Sequence, residues 1–373
     1  MVRIFLSAGE PSGVAIGATL MRTLKARLPD VSFAGLGGPA MQAEGLRVIY
    51  DPTQTATMWL WGNLKRIPAH RKALRACRED WKREPPDLVI TIDYQAFHLY
   101  VGTYARAQRL KVLHFVGSQF WGRRYYTLKP IARAYDHVLL IHAFEKPYYD
   151  RAGIPATFVG HPLFERLHER ELDADLTNRL GSRPSPRLAI LPGSRHVEIL
   201  HSLPTMLAAA GRLETKPHLV VSAAREASRP FIEKELAESG LPGEVVDLAS
   251  GEILSSSDLA FITSGSATME AVYYGCPAVV VYRIHPLSYF FAKPHIAGFI
   301  AQPNLIAGKD IVPELLLGSN NPAPVASAAQ HLLKSRPARD AQLREFEVLR
   351  RQLLDGPVPS QKAADVATNM LSG

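Results

Sequence analysis

The sequence predicts a doubly wound α/β protein of two domains, and three observations carry that expectation. Short apolar runs of strand length alternate with amphipathic helical patterns from end to end, the mark of right-handed βαβ units and parallel sheets. The chain has 373 residues, more than one hydrophobic core usually organises. A charged break at Glu165–Pro186, closing on GSRPSP, divides the alternation into two series.

The first series runs Val2–Ser7, Val31–Leu36, Leu88–Asp93, Val112–Val116, His137–Ile141 and Ala156–Val159. Each is a run of apolar, largely β-branched residues, as expected of strands buried on both faces. The second series runs Leu188–Leu191, His218–Ser222, Glu244–Asp247, Leu259–Ile262 and Ala278–Tyr282. After Pro322 no further strand is expected. Helices are predicted near Val325–Leu333, Arg339–Leu354 and Ser360–Leu371, punctuated by GPVP.

Composition narrows the function classes. With 47% hydrophobic and 21% charged residues the chain is neither disordered nor fibrous. Lys and Arg number 43 against 35 Asp and Glu, a net +8 that favours an anionic partner. The longest apolar runs, such as Pro277 to Tyr282, are strand-sized, and the N-terminus reads as a first strand rather than a leader. A soluble, cytoplasmic protein is expected. Cys77 and Cys276 lie far apart with no Cys/His grouping, so neither a disulfide framework nor a zinc site is expected.

Ligands of open parallel sheets bind beyond the carboxyl ends of the strands, and four segments fall there. Ala8-Gly9-Glu10-Pro11-Ser12-Gly13 follows the first strand, and its glycines let a backbone approach a ligand or simply make a tight turn. Leu191-Pro192-Gly193-Ser194-Arg195 offers a hydroxyl and a guanidinium fork suited to phosphate, or a surface arginine beside a turn. Thr263-Ser264-Gly265-Ser266-Ala267-Thr268-Met269-Glu270 has the order of an anion site at a helix N-terminus. Glu270 could accept from a sugar diol there; ordinary capping is the alternative. No GK[ST] follows, which disfavours ATP hydrolysis. The fourth is Asp93, an acidic residue at a strand end that could serve as a general base or cap the next turn. His114 and His161 also follow strands, where a lone histidine is more often structural.

These segments resemble the lipid-A-disaccharide synthase family. AGEPSG at 8–13, GGPAMQAEG at 37–45, ITID at 90–93, FEKPYYD at 144–150 and FVGHPL at 158–163 occur in the family's order. LPGSR at 191–195, SGSATMEA at 264–271 and QPNLIAGKDIVPELL at 302–316 continue it. The resemblance implies a B-type-fold inverting glycosyltransferase with two facing Rossmann-like domains. Its reaction would join UDP-2,3-diacylglucosamine to 2,3-diacylglucosamine 1-phosphate, giving the β-1,6 disaccharide of lipid A and UDP. It implies no cofactor and no metal. Residues 1–168 would form the acceptor and membrane side, 185–340 the UDP-sugar domain, and 341–373 helices packing back across the domains.

By the same resemblance Asp93 is the base. Gly193, Ser194, Arg195, Ser264, Gly265, Ser266, Ala267, Thr268, Glu270 and Asn304 belong to the nucleotide pocket. Gly9, Ser12, Gly13 and His114 lie on the acceptor side. The chain departs from the family pattern at Val14, where an acidic residue is usual, at Gly62, and in Gly117-Ser118-Gln119-Phe120-Trp121-Gly122-Arg123, which keeps one tryptophan of two.

Met58, Trp59, Leu60 and Trp61 lead into Lys65, Arg66, Arg71, Lys72 and Arg75. Aromatic and cationic groups together suit an anionic lipid interface, here the cytoplasmic face of the inner membrane; a core helix with a solvated basic face is the alternative. A second copy of the chain stays open as a partner. A UDP-N-acetylglucosamine 2-epimerase and a non-catalytic UDP-sugar-binding paralogue are the rival readings. Nucleic acid is not expected, because no RNP, helix-turn-helix or zinc pattern accompanies the charge.

Overall fold

A computed structural model describes residues 2–51, 62–117, 128–284 and 298–372, with the side chains of 62–67 outside the description. The chain forms two compact units, Met1–Glu165 with Gly356–Gly373, and Arg166–Asp355.

Unit 1 alternates β1 (Val2–Ala8), α1 (Pro11–Arg27), β2 (Val31–Leu36), α2 (Pro39–Ala43), β3 (Arg47–Tyr50), α3 (Gly62–Arg83), β4 (Leu88–Ile92) and α4 (Gln95–Ala107). It continues with β5 (Lys111–Phe115), α5 (Leu128–Ala134), β6 (His137–Leu140), α6 (Lys146–Arg151) and β7 (Ala156–Phe158). The sheet is parallel in the order β3-β2-β1-β4-β5-β6-β7. Apolar runs suit it because both faces are covered. Ile4, Leu6, Ile90 and Ile92 pack into one core, while Phe5, Val89 and Val112 pack into another on the opposite face. The order reverses between β1 and β4, where Ala8 pairs with Ile92. That switch point sets the loop after β1 beside the loop after β4.

α7 (Pro162–Glu169) spans the passage into unit 2, which runs α8 (Ala174–Gly181), β8 (Arg187–Leu191), α9 (His196–Ala210), β9 (His218–Ala223), α10 (Arg229–Ser239) and β10 (Gly243–Asp247). There follow α11 (Ser250–Ser255), β11 (Leu259–Ile262), α12 (Ala267–Tyr274), β12 (Ala278–Arg283), α13 (Gln302–Ala307), β13 (Glu314–Leu317), α14 (Ala323–Lys334) and α15 (Arg336–Leu354). Its parallel sheet is ordered β10-β9-β8-β11-β12-β13, with the reversal between β8 and β11. The last helix, α16 (Pro359–Ser372), belongs to unit 1.

The boundaries differ from the expectation in three places. The break at Glu165–Pro186, expected to be a linker, belongs to unit 2 from Arg166 on, where Arg170 forks onto Glu252 at 2.8 Å and Arg183 pairs with Glu244 at 2.7 Å. α15, expected in the tail, stays with unit 2: its Gln342 donates to and accepts from Ala278 beside β12. α16 alone returns to unit 1. Its Ala363, Ala364 and Ala367 are fully buried in the core that α1 shares, and Lys111 donates to the Met370 carbonyl at 2.7 Å. Two strands were not expected, β3 and β13; both are four residues long and sit at sheet edges.

Candidate active site

In unit 1 the switch point centres on Asp93. β4 ends one residue earlier, and Asp93 and Tyr94 both take positive φ, 54° and 47°. The Asp93 amide donates to the Phe115 carbonyl at 2.9 Å, continuing the ladder to β5. Its carboxylate accepts from the Tyr94 amide at 2.8 Å, and its carbonyl is 2.6 Å from His98 Nδ1. Ser7, on β1, lies 2.8 Å from His98 Nε2. Burial lowers the His98 pKa to about 4, so the ring is neutral near pH 7. Tyr94 pairs through its hydroxyl with His70 Nε2 at 2.7 Å.

The acceptor-side residues divide. Gly9 and Gly13 serve close packing: a Cβ on Gly9 would stand 2.3 Å from the Tyr94 ring, and one on Gly13 3.3 Å from the Ile92 carbonyl. Ser12 is exposed on the first turn of α1. His114 requires correction. It is 1% exposed, 2.8 Å from Thr91 Oγ1 and stacked on Tyr135 at 4.2 Å, and burial lowers its pKa to about 3. Its ring belongs to the interior rather than to a surface open to substrate. His161 is likewise 5% exposed, with burial holding it neutral. Val14 packs into the unit 1 core, and Gly117 leaves room for Leu140 and Tyr149, which a Cβ would meet at 2.7 and 3.0 Å. Trp59, Trp61 and residues 118–123 lie outside the described residues.

In unit 2 the reversal sets Leu191 beside Ile262, and the Thr263 amide donates to the Leu191 carbonyl at 2.9 Å. The two Ser/Gly-containing loops therefore lie side by side. Gly193 turns with φ 109°, and a Cβ there would stand 2.8 Å from Glu198 Oε2. Arg195 heads α9 and donates to Glu198 Oε1 at 2.8 Å, which holds the guanidinium over the first turn, while Ser194 is exposed. Across the β11–α12 loop, Thr268 Oγ1 donates to the Gly265 carbonyl at 2.7 Å and Ser264 Oγ to the Ile300 carbonyl at 3.2 Å. Among the described residues, no protein acceptor takes the amides of Gly265, Ser266 or Ala267. Such amides at a helix start suit an anion. Glu270, one turn further in, accepts from the Ser250 hydroxyl; burial pushes its carboxyl up while Ser250, Arg166 and Arg170 oppose the shift.

Asn304 is placed differently from the expectation. It is fully buried, accepts from the Ile311 and Val312 amides at 2.8 and 2.9 Å, and donates to the Val312 carbonyl at 2.8 Å. Glu314 joins it at 3.2 Å and also accepts from the amides of Ile300 and Ala301. Asn304 thus ties α13 to β13 instead of presenting its amide to a ligand. Sequence reasoning missed Ser7, His98, Ser250 and Glu314, because each acts through a partner distant in sequence. Among the described residues no group of three His, Cys, Asp or Glu could hold a metal ion, and no helix is long and apolar enough to cross a membrane.

Two doubly wound units, one with a carboxylate at its switch point and the other with Pro-Gly-Ser-Arg and Ser-Gly-Ser loops at its own, define the class of B-type-fold glycosyltransferases. Solved structures agree on the fold. The glycotransferase of kitacinnamycin matches with a TM-score of 0.65 at 15% identity, over 99% of this chain and 98% of that one. HepE of Anabaena, solved with UDP-glucose, matches at 0.60 and 13%, over 99% and 100%. The UDP-GlcNAc 2-epimerase of Neisseria meningitidis, bound to UDP-GlcNAc, matches at 0.64 and 11%, over 100% of both. The chain belongs to the lipid-A-disaccharide synthetase family, whose model matches residues 4–357. The lipid-A-disaccharide synthase of Azotobacter vinelandii is 36% identical over 347 residues, 90% of each chain. That of Nitrosococcus oceani is 31% identical over 375 residues, 99% of this chain and 96% of the relative.

Proposed function

We propose that the chain transfers the diacylglucosamine unit of UDP-2,3-diacylglucosamine to the 6-hydroxyl of 2,3-diacylglucosamine 1-phosphate. Family membership supports the substrates, and the observation that carries the chemistry is Asp93, held just past β4 by hydrogen bonds at its amide, its carbonyl and its carboxylate. Asp93 takes the hydroxyl proton while the oxygen attacks the anomeric carbon from the face opposite UDP. The donor's α linkage becomes β, the C1–O bond to UDP breaks, and UDP leaves with the electron pair. Charge gathers on the β-phosphate, where Arg195 and the amides of 265–267 stabilise it. Glu270 accepts from the ribose diol. Ser12 contacts the acceptor.

In this reading no metal takes part, since a guanidinium and helix-start amides neutralise the diphosphate, and transfer survives EDTA. The basic face of α3 holds the enzyme on the cytoplasmic face of the inner membrane, where acylated substrates reside. The test is mass spectrometry of a reaction containing both diacylated substrates, with and without EDTA. A phosphorylated disaccharide in both supports the proposal. Binding of UDP with no product under either condition refutes it.

A further inference from the structure

β4 ends in a backbone that needs support from outside. Asp93 and Tyr94 are consecutive non-glycine residues at φ 54° and 47°, a strained region kept only where neighbours over-determine it. The Phe115 carbonyl holds the Asp93 amide, and the Tyr94 ring closes over Gly9. The Tyr94 amide donates to the Asp93 carboxylate, and a buried relay adds further support. His98, on the first turn of α4, is fully buried, with Nδ1 2.6 Å from the Asp93 carbonyl and Nε2 2.8 Å from Ser7 Oγ.

A neutral imidazole has one donor and one acceptor nitrogen, whereas a carbonyl can only accept. Nδ1 therefore carries the proton, and Nε2 accepts from the Ser7 hydroxyl. β1 fixes the tautomer, the tautomer fixes the Asp93 carbonyl, and the carbonyl fixes how Cα is turned. We propose that Ser7 and His98 are a positioning pair that sets the direction in which the Asp93 carboxylate leaves the end of β4. Neither residue touches substrate. The inference rests on the reading of Asp93 as the base, and it extends that reading to two residues the family resemblance did not mark.

The experiment compares steady-state transfer by the full-length protein and its variants. His98→Leu keeps bulk but loses the donor, and its kcat should fall about 30- to 100-fold with KM changed less than about threefold, short of the loss from removing a general base outright. His98→Asn places an amide N–H where Nδ1 stood and should restore kcat to within about fivefold of the parent. In an Asp93→Asn background His98→Leu should cost less than about twofold more, since the pair acts only through Asp93. A purely structural histidine predicts losses that multiply and an Asn variant no better than Leu. Either result overturns the inference, as does a folded His98→Leu with kcat within about threefold of the parent. If His98→Leu does not fold, Ser7→Ala replaces it: kcat down about three- to tenfold supports the pair, and an unchanged kcat refutes it. Asp93→Asn alone separates the two claims. Retention of more than about a tenth of the rate removes the base and the pair together; a dead Asp93→Asn beside an active His98→Leu removes only the pair.

Discussion

Asn304 shows how a residue can match a binding motif and yet act inside the fold. Its carbonyl takes two buried backbone amides and its NH₂ serves the Val312 carbonyl and the partly buried Glu314. Asn304→Ala would leave those amides buried without an acceptor, at about 1–3 kcal/mol for each group stranded. Denaturant unfolding of unit 2 should lose about 2–5 kcal/mol, a result that a surface ligand contact would not give. Arg195 and Glu270 should behave oppositely. Arg195→Ala and Glu270→Ala should each weaken UDP binding by roughly 1.5–3 kcal/mol by calorimetry, the worth of a charge-assisted contact, with smaller effects on melting. Unchanged affinity would displace the nucleotide from this loop pair. The place of Asp93 at the end of β4 was legible in the sequence, where an acidic residue closes an apolar run; its reading as a base rested on the family resemblance, with capping of the next turn as the alternative. His98 was not legible, because a histidine inside a helical pattern reads as core until its partners on β1 and β4 are known. His114 misled for the same reason: sequence shows that it follows a strand, but not that Tyr135 covers its ring.

At the scale of elements, the sheets were legible where strands are central and apolar and were missed at the edges. β3 and β13 run four residues each, bury their side chains only partly and carry a charged residue at one end, so their pattern is weak. α3 carries the basic surface to which the proposed function assigns membrane binding. One side buries Ala73, Cys77, Asp80 and Trp81, and the other exposes Arg71, Lys72, Arg75, Arg78, Lys82 and Arg83. Glu79 pairs with Arg75 and offsets part of the charge. Basic residues near an anionic surface contribute on the order of 1 kcal/mol each, screened within about 10 Å by ordinary salt. The protein should sediment with anionic vesicles at low salt, release at high salt, and bind several-fold less when Lys65, Arg66, Arg71 and Lys72 are replaced by Ser. Indifference of the parent protein to anionic vesicles at low salt would leave α3 as an ordinary solvated face and remove the membrane from the proposal.

At the scale of the molecule, the buried histidines among the described residues are unevenly shared, and stability against pH should follow them. His98, His114, His142 and His161 are all in unit 1, and burial lowers their pKa values to about 4, 3, 3 and 4 from an ordinary 6.5. Unfolded chains bind more protons than the native unit between those values, so stability rises with pH across this window and is lost as pH falls below 6.5. Each group contributes roughly 1 kcal/mol per pH unit there. Glu145 has the opposite sign. Burial raises its pKa to about 8 from 4.5, the native form holds the extra proton, and its contribution is lost as pH rises through 8. Among the described residues every buried histidine lies in unit 1. Unit 1 should therefore acid-unfold first. Trp59, Trp61, Trp81 and Trp121 are the four tryptophans, and all lie within 1–165, so intrinsic fluorescence reports unit 1 while far-ultraviolet dichroism reports both. On titration from pH 7 the fluorescence transition should come at higher pH than the dichroism transition. Coincident transitions would mean that the two units unfold as one or that the histidines do not set the order. Glu145→Gln isolates the alkaline limb: it should raise the melting temperature at pH 8.5, where the parent must ionise a buried carboxylate, and change it little at pH 5, where the parent carboxyl is already neutral.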